Sequence, residues 1–186
     1  MPDIEAEGAL DGRRSTVRAA GGAVVKRPEI ANETRYDGRI VAGIIRWVFR
    51  QLDLDGSRVM VKVKMHRGQH AYAGRFYSNP HSASGYIWND SRKDFVEITP
   101  SVPRSIDQLL VCRIGVAELY PATTHVYDRR DSPGTWEVED WKQALVSVTA
   151  HEATHLRQYR KGGGYNEVET EWAAFRLCRD WKQTHS

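Results

Sequence analysis

One short stretch of the chain has the side chains and the spacing needed to bind a metal ion. In VTAHEATHLRQYR, His151 and His155 are four residues apart, so on a helix both imidazoles lie on one face and can reach the same ion. Glu152 is one position further round and therefore lies beside that ion. Zinc binds imidazole nitrogen readily, and a catalytic zinc site uses three protein ligands and leaves a fourth position for water. The stretch predicts a zinc site whose third ligand comes from elsewhere in the chain.

The same spacing has a simpler interpretation, in which His151 and His155 are ordinary polar residues on a helix that flanks the core. Roughly 0.02 chance occurrences of His-Glu-x-x-His are expected in a chain of this composition, so the pattern favours a site. A second helix that carries carboxylates past the first would strengthen the interpretation as a metal site.

The residues that follow a glycine run supply candidates for the third ligand. The run at 162–164 is expected to end the first helix and send the chain back antiparallel to it. The segment NEVETE then brings three carboxylates past the histidines. Glu167 and Glu171 share one face of the predicted second helix, whereas Glu169 is expected to point away. Both Glu167 and Glu171 are therefore candidate ligands.

The C-terminal third, about residues 138–181, resembles the zincin metallopeptidases and, within them, the gluzincins. NEVETE is similar to the thermolysin-like pattern Asn-Glu-x-x-Ser-Asp and to the Glu-x-x-Ala-Asp pattern of related small membrane or cytosolic peptidases. The resemblance implies that Glu167 is the third zinc ligand and that Glu171 orients a histidine, His151. Glu171 stands where these families have Asp, and the interval from His155 to Glu167 is shorter than in thermolysin-like enzymes, so Glu171 remains an alternative ligand.

The resemblance implies zinc-dependent hydrolysis of a peptide bond in a protein or peptide substrate. The bound zinc would lower the pKa of its water and polarise the carbonyl, while Glu152 takes the proton and passes it to the leaving amine. An alternative is a zinc-binding scaffold or regulatory module with little or no peptidase activity. A nucleic-acid-associated protease of the SprT kind shares the two-histidine pattern, but its third ligand is a histidine, and none follows His155 before His185.

Larger gluzincins place a Tyr or His from a later domain over the oxyanion of the reaction. In this chain the local candidates for that role are Tyr165, Arg157 and Tyr127.

The rest of the sequence predicts the elements that must position this site. The 186 residues, 40% of them hydrophobic, are typical of one domain that can bury a core without a structural metal. Residues 1–33 have few large apolar side chains and are predicted to form a disordered or weakly docked tail, with residues 34–186 as a single domain. We expect an α+β fold, a minimal zincin-like domain in which an N-terminal helix and a small antiparallel or mixed sheet precede a C-terminal helical hairpin that carries the metal site.

Hydrophobic periodicity places the elements along the chain. Apolar residues at helical spacing predict three helices, over residues 36–55, 138–159 and 166–181. Alternating or short apolar runs predict four strands, over residues 58–66, 71–78, 86–88 and 95–99. The second of these strands is expected to return as a hairpin against the first. The segment 106–119 is apolar but ambiguous between helix and strand.

Charge and cysteine content narrow the partners and the compartment. The net charge is +3 with no basic run of five or more, so nucleic-acid binding is not supported. Cys112 and Cys178 are expected to be reduced and buried. The sequence shows no signal peptide and no apolar stretch of transmembrane length, so we expect no membrane partner and a cytoplasmic location.

Overall fold

The computed structural model describes residues 26–66, 71–82, 100–124 and 131–185, together with the backbone of residues 85–89 and 94–98. The elements, in chain order, are β1 (Glu29–Glu33), α1 (Gly38–Gln51), β2 (Val59–Met65), β3 (Tyr72–Tyr77), β4 (Gly85–Asn89), β5 (Asp94–Ile98), β6 (Gln108–Ile114), a 3₁₀ turn (Ala117–Leu119), β7 (Ala122–Thr123), β8 (Glu137–Val138), α2 (Trp141–Arg160) and α3 (Glu167–His185). This arrangement confirms the predicted α+β class with a helix, a mixed sheet and a C-terminal helical hairpin.

The main sheet has the strand order β1-β2-β6-β3, in which β1, β2 and β6 are parallel and β3 is antiparallel to β6. The predicted hairpin between β2 and β3 is therefore wrong, because β6 lies between them. The reason is burial: Leu109–Cys112 of β6 are buried on both faces of the sheet, as an interior strand requires. Gly74 and Arg75 of β3 are exposed, which suits an edge. The ambiguous segment 106–119 thus contains the central strand.

The N-terminal boundary predicted at residue 33 is also wrong, because Glu29–Glu33 form β1 and pair with β2. The preceding residues are tied down as well. The Gly56 N–H donates to the Lys26 carbonyl at 2.8 Å, and Pro28 packs so closely on Gly56 that a Cβ there would overlap it. Backbone hydrogen bonds to a sheet edge, which leave little hydrophobic signal in the sequence, order this segment. Residues 1–25 of the predicted tail lie outside the described residues.

The first helix, α1, is shorter than predicted at both ends. The Asp37 side chain caps it by accepting hydrogen bonds from the Arg39 and Ile40 N–H groups. Its last residue is Gln51, and Asp53 soon afterwards has a left-handed backbone conformation with φ of 48°. One face of α1 is buried in the core, through Val41, Ile44, Ile45, Val48 and Phe49.

The second helix, α2, lies between the sheet on one side and α1 and α3 on the others. For this reason 14 of its 20 residues are buried, including polar ones that a surface helix would expose. The Asp140 side chain caps its N-terminus by accepting from the Gln143 N–H at 2.8 Å. A helix held on three sides is a rigid support for side chains that must keep a fixed geometry.

The hairpin between α2 and α3 forms as predicted. α2 ends at Arg160, Gly162 takes a left-handed conformation with φ of 72°, and its neighbour Gly163 donates to the Gln158 carbonyl. The Asn166 side chain accepts from the Glu169 N–H at 3.2 Å and so caps the start of α3. α3 continues to His185, four residues beyond the predicted end.

The predictions for the two short strands and for the two cysteines are confirmed. The short strands predicted at residues 86–88 and 95–99 form as β4 and β5, and Cys112 and Cys178 are free, buried thiols. The structure adds that β4 and β5 pair as an antiparallel hairpin. No helix in the described part of the chain is long and apolar enough to cross a membrane.

Candidate metal centre

The two predicted histidines lie where the helical repeat places them, on the face of α2 that meets the start of α3. His155 is buried, and His151, one turn earlier, is partly exposed. Their Nε2 atoms are 3.2 Å apart. Two imidazole nitrogens this close are suited to share an ion.

Glu167, the first residue of α3, completes a group of three. Its Oε2 is 3.3 Å from His151 Nε2, and its Oε1 is 3.6 Å from His155 Nε2. Tetrahedral zinc with bonds of about 2.0–2.1 Å separates neighbouring ligand atoms by about 3.3–3.4 Å. The three side chains therefore lie at about the separation that one bound ion requires, and this group could hold a metal ion.

Gln158 ties the metal centre to the helical hairpin, and every hydrogen-bonding position of its buried amide is used. Its Nε2 donates to the Asn166 carbonyl at 3.0 Å and to Glu169 Oε2 at 2.9 Å. Its Oε1 accepts from the Asn166 N–H at 3.1 Å and faces His155 Nδ1 at 3.3 Å. With Nδ1 as the donor in that last contact, His155 presents Nε2 as the free lone pair that a metal needs.

Gln158, a hydrogen-bonding partner of the candidate metal centre, was not predicted from the sequence. It lies three positions after His155, on the same side of α2, and this spacing is the one signal that could have identified it. Glu169, expected to point away from α2, instead accepts hydrogen bonds from Gln158 and from Arg157 Nη2 at 2.8 Å. That expectation was wrong because α3 starts close enough to α2 for the Glu169 side chain to reach back across the turn. These contacts fix the position of Glu167, two residues earlier.

Glu152 is buried beside the three candidate ligands and faces Gly74 of the edge strand β3. A Cβ atom at position 74 would overlap Glu152 Oε1 and lie 2.6 Å from Val148 Cγ2, so the space exists because position 74 is glycine. Burial, followed by the negative charge of Glu167, raises the pKa of Glu152 to about 8. A carboxyl with a raised pKa is a stronger base once ionised, and a nearby cation favours its ionised form.

The pKa of His151, the more exposed of the two candidate histidine ligands, is shifted downward. Burial of the ring, followed by the charge of His155, lowers the pKa of His151 to about 4, against the raising effect of Glu167. His151 is therefore neutral at pH 7, which is the form that binds metals.

A cleft of about 480 Å³ opens beside Glu152 and His151. Its walls include Ala71–Gly74 of β3, Ser147 and Val148 of α2, and Glu171 of α3. Glu171 is buried in this wall and is not a member of the group of three. The geometry thus favours Glu167 over Glu171 as a ligand, and the role of Glu171 in orienting His151 stays a prediction.

The candidates for oxyanion stabilisation have different surroundings. The ring centroid of Tyr165 is 5.3 Å from that of His155, so Tyr165 borders the metal centre. Arg157 is engaged with Glu169, and Tyr127 lies outside the described residues. His185, the histidine that a SprT-like ligand set would need, stacks on Trp181 at the far end of α3, about 27 Å along the helix from Glu167.

No protein-family model, no curated protein and no solved structure matches this chain.

Proposed function

We propose that this chain is a zinc-dependent peptidase of the gluzincin type, in which His151, His155 and Glu167 hold the zinc ion. The observation that carries the proposal is the group of three ligand atoms with separations of 3.2–3.6 Å, next to a buried carboxylate that makes no part of the group. Ligands alone would fit a structural site, but a fourth position left open beside a proton acceptor is typical of a hydrolytic one.

Glu152 is the general base of the proposed reaction. Its carboxylate takes a proton from the attacking water and passes it to the leaving amine. Zinc, when bound, supplies electrophilic activation of the water and of the scissile carbonyl. The buried position of Glu152 and the close approach of Gly74 restrict its motion, so the carboxylate is held ready for proton transfer.

The edge strand β3 supports a peptide as the substrate. Among the described residues no strand pairs with the outer edge of β3, whose other edge pairs with β6. An extended peptide can add to such an edge through backbone hydrogen bonds. Gly74, exposed and opposite Glu152, would then bring the peptide backbone next to the metal centre. The proposed location is the cytoplasm, which the two free thiols support.

Metal analysis and hydrolysis of denatured casein test this proposal together. We expect about one zinc per chain in the purified protein and a strong loss of zinc in His155→Ala. Glu152→Gln should keep its zinc and lose hydrolysis by about 10²–10⁴-fold. Glu118→Gln, an exposed glutamate whose ion pair with Arg35 is distant at 3.6 Å, is the matched control and should keep both.

The outcomes separate the proposed peptidase from its alternative. If the wild-type protein binds zinc but does not hydrolyse casein, this would indicate the alternative, a zinc-binding scaffold or regulatory module. Unchanged turnover in Glu152→Gln would remove Glu152 from the mechanism.

A further inference from the structure

Three aromatic side chains form an exposed cluster at one end of the proposed active site. Phe76 of β3 packs on the core and contacts Tyr159 and Tyr165, with ring centroids 5.9 and 6.3 Å away. Tyr159 is 43% exposed and Tyr165 58%, so both rings offer apolar surface to solvent. Phe76, Tyr159 and Tyr165 are called the aromatic cluster below.

The aromatic cluster is continuous with the metal centre. The Tyr165 ring meets the His155 ring edge-on, with centroids 5.3 Å apart and planes at 89°. Tyr159 lies on α2 one turn after His155, and Phe76 lies two residues after Gly74 on the same face of β3. A side chain bound at the cluster would therefore belong to a residue close to the reacting bond.

The direction of β3 determines which side of that bond the cluster serves. β3 and α2 run in the same direction, since Tyr72 meets Ser147 at one end and Phe76 meets Tyr159 at the other. Gly74, which faces the proposed general base, lies between the two ends. The 480 Å³ cleft occupies the Tyr72 end, so the aromatic cluster is on the opposite side of the general base.

An extended peptide at the free edge of β3 is expected to pair antiparallel, which is the slightly more stable arrangement per residue. Its chain then runs opposite to β3, with its N-terminal half at the Phe76 end. We propose that the aromatic cluster binds a large apolar side chain of the substrate within two or three residues on the N-terminal side of the cleaved bond. This inference rests on the proposed peptidase function and adds to it the class of sequence recognised.

Cleavage of matched peptides tests the inference. In a series of quenched-fluorescence octapeptides, single positions carry either Phe or Ser. We expect Phe on the N-terminal side of the cleaved bond to raise kcat/KM roughly 10-fold, mainly through KM, as burial of one aromatic side chain would give. The double variant Tyr159→Ala, Tyr165→Ala should lose this preference and keep its zinc. Tyr165→Phe, which retains the ring, should keep the preference.

Ile40→Ala is the matched control, because Ile40 is as exposed as Tyr159 but lies on α1 and lines a different groove. It should leave the preference unchanged. A preference on the C-terminal side of the bond, or one that survives in the double variant, would overturn the inference while leaving the peptidase intact.

If the wild-type protein cleaves no peptide, the proposed function fails and binding decides the inference by itself. The same peptides, labelled for fluorescence anisotropy, are then titrated with zinc-loaded Glu152→Gln protein. Roughly 10-fold tighter binding of a Phe peptide than of its Ser counterpart, lost in the double variant, would support the cluster as a recognition site. Equal binding of the two peptides would refute it.

Discussion

The substitution Gly74→Ala should separate catalysis from metal binding. A Cβ at position 74 would lie 2.6 Å from Val148 Cγ2 and 2.8 Å from Glu152 Cδ, where ordinary contact begins at 3.4 Å. The side chains or the strand must therefore move by about 0.8 Å relative to Val148, and Glu152 Oε1, the atom nearest to the added Cβ, must move further. Overpacking of this kind costs about 1–3 kcal/mol, and misplacing a catalytic group by about 1 Å can reduce the rate roughly 10²-fold.

We expect Gly74→Ala to lower kcat by about 10–100-fold and to lower the thermal midpoint by roughly 2–12 °C. Its zinc content should stay near that of the wild type, because the atoms nearest to the new methyl group belong to Val148 and Glu152 and to none of the three ligands. The matched control is Gly43→Ala on α1, where an added Cβ meets nothing within 4 Å. This control should be as active as the wild type and slightly more stable. Full activity with an unchanged midpoint in Gly74→Ala would refute the packing of Gly74 against Glu152.

Three further predictions concern the ligands, their support and the first strand. Gln158→Ala removes the amide that faces His155 and holds the start of α3, so zinc affinity measured by competition with a chelator should fall about 10–100-fold, whereas the exposed Gln51→Ala should leave it unchanged. Glu167→Ala should weaken zinc binding more than Glu171→Ala in the same titration, since Glu167 carries a candidate ligand atom; the reverse order would transfer the ligand role to Glu171. Removal of residues 1–33 should lower the midpoint in calorimetry by several degrees more than removal of residues 1–25, because only the longer deletion takes away β1; equal midpoints would show that β1 contributes nothing to stability.

The part of the site that could be predicted from the sequence is the part set by local geometry. The helical repeat alone places His151 and His155 on one face, and a short glycine-containing turn obliges the next helix to pass them. Glu167 follows from that turn and from the resemblance at Asn166. These features depend on residues fewer than 20 positions apart, so no long-range contact had to be known.

The remaining features depend on pairings between distant segments, which periodicity does not encode. Nothing in the sequence of β3 shows that β6, more than 30 residues later, would separate it from β2. The close approach of Gly74 to Glu152 and the meeting of Phe76 with Tyr159 follow from that pairing. β1 was missed because a strand held by backbone hydrogen bonds can have few apolar side chains.

The most direct test of the proposed metal centre is a crystal structure of the zinc-loaded protein with anomalous data collected at the zinc absorption edge. We predict one strong anomalous peak about 2.0–2.2 Å from His151 Nε2, His155 Nε2 and one carboxylate oxygen of Glu167, with Glu152 outside the coordination sphere. The absence of a peak at these three side chains, or a peak coordinated by Glu171 in place of Glu167, would contradict the assignment.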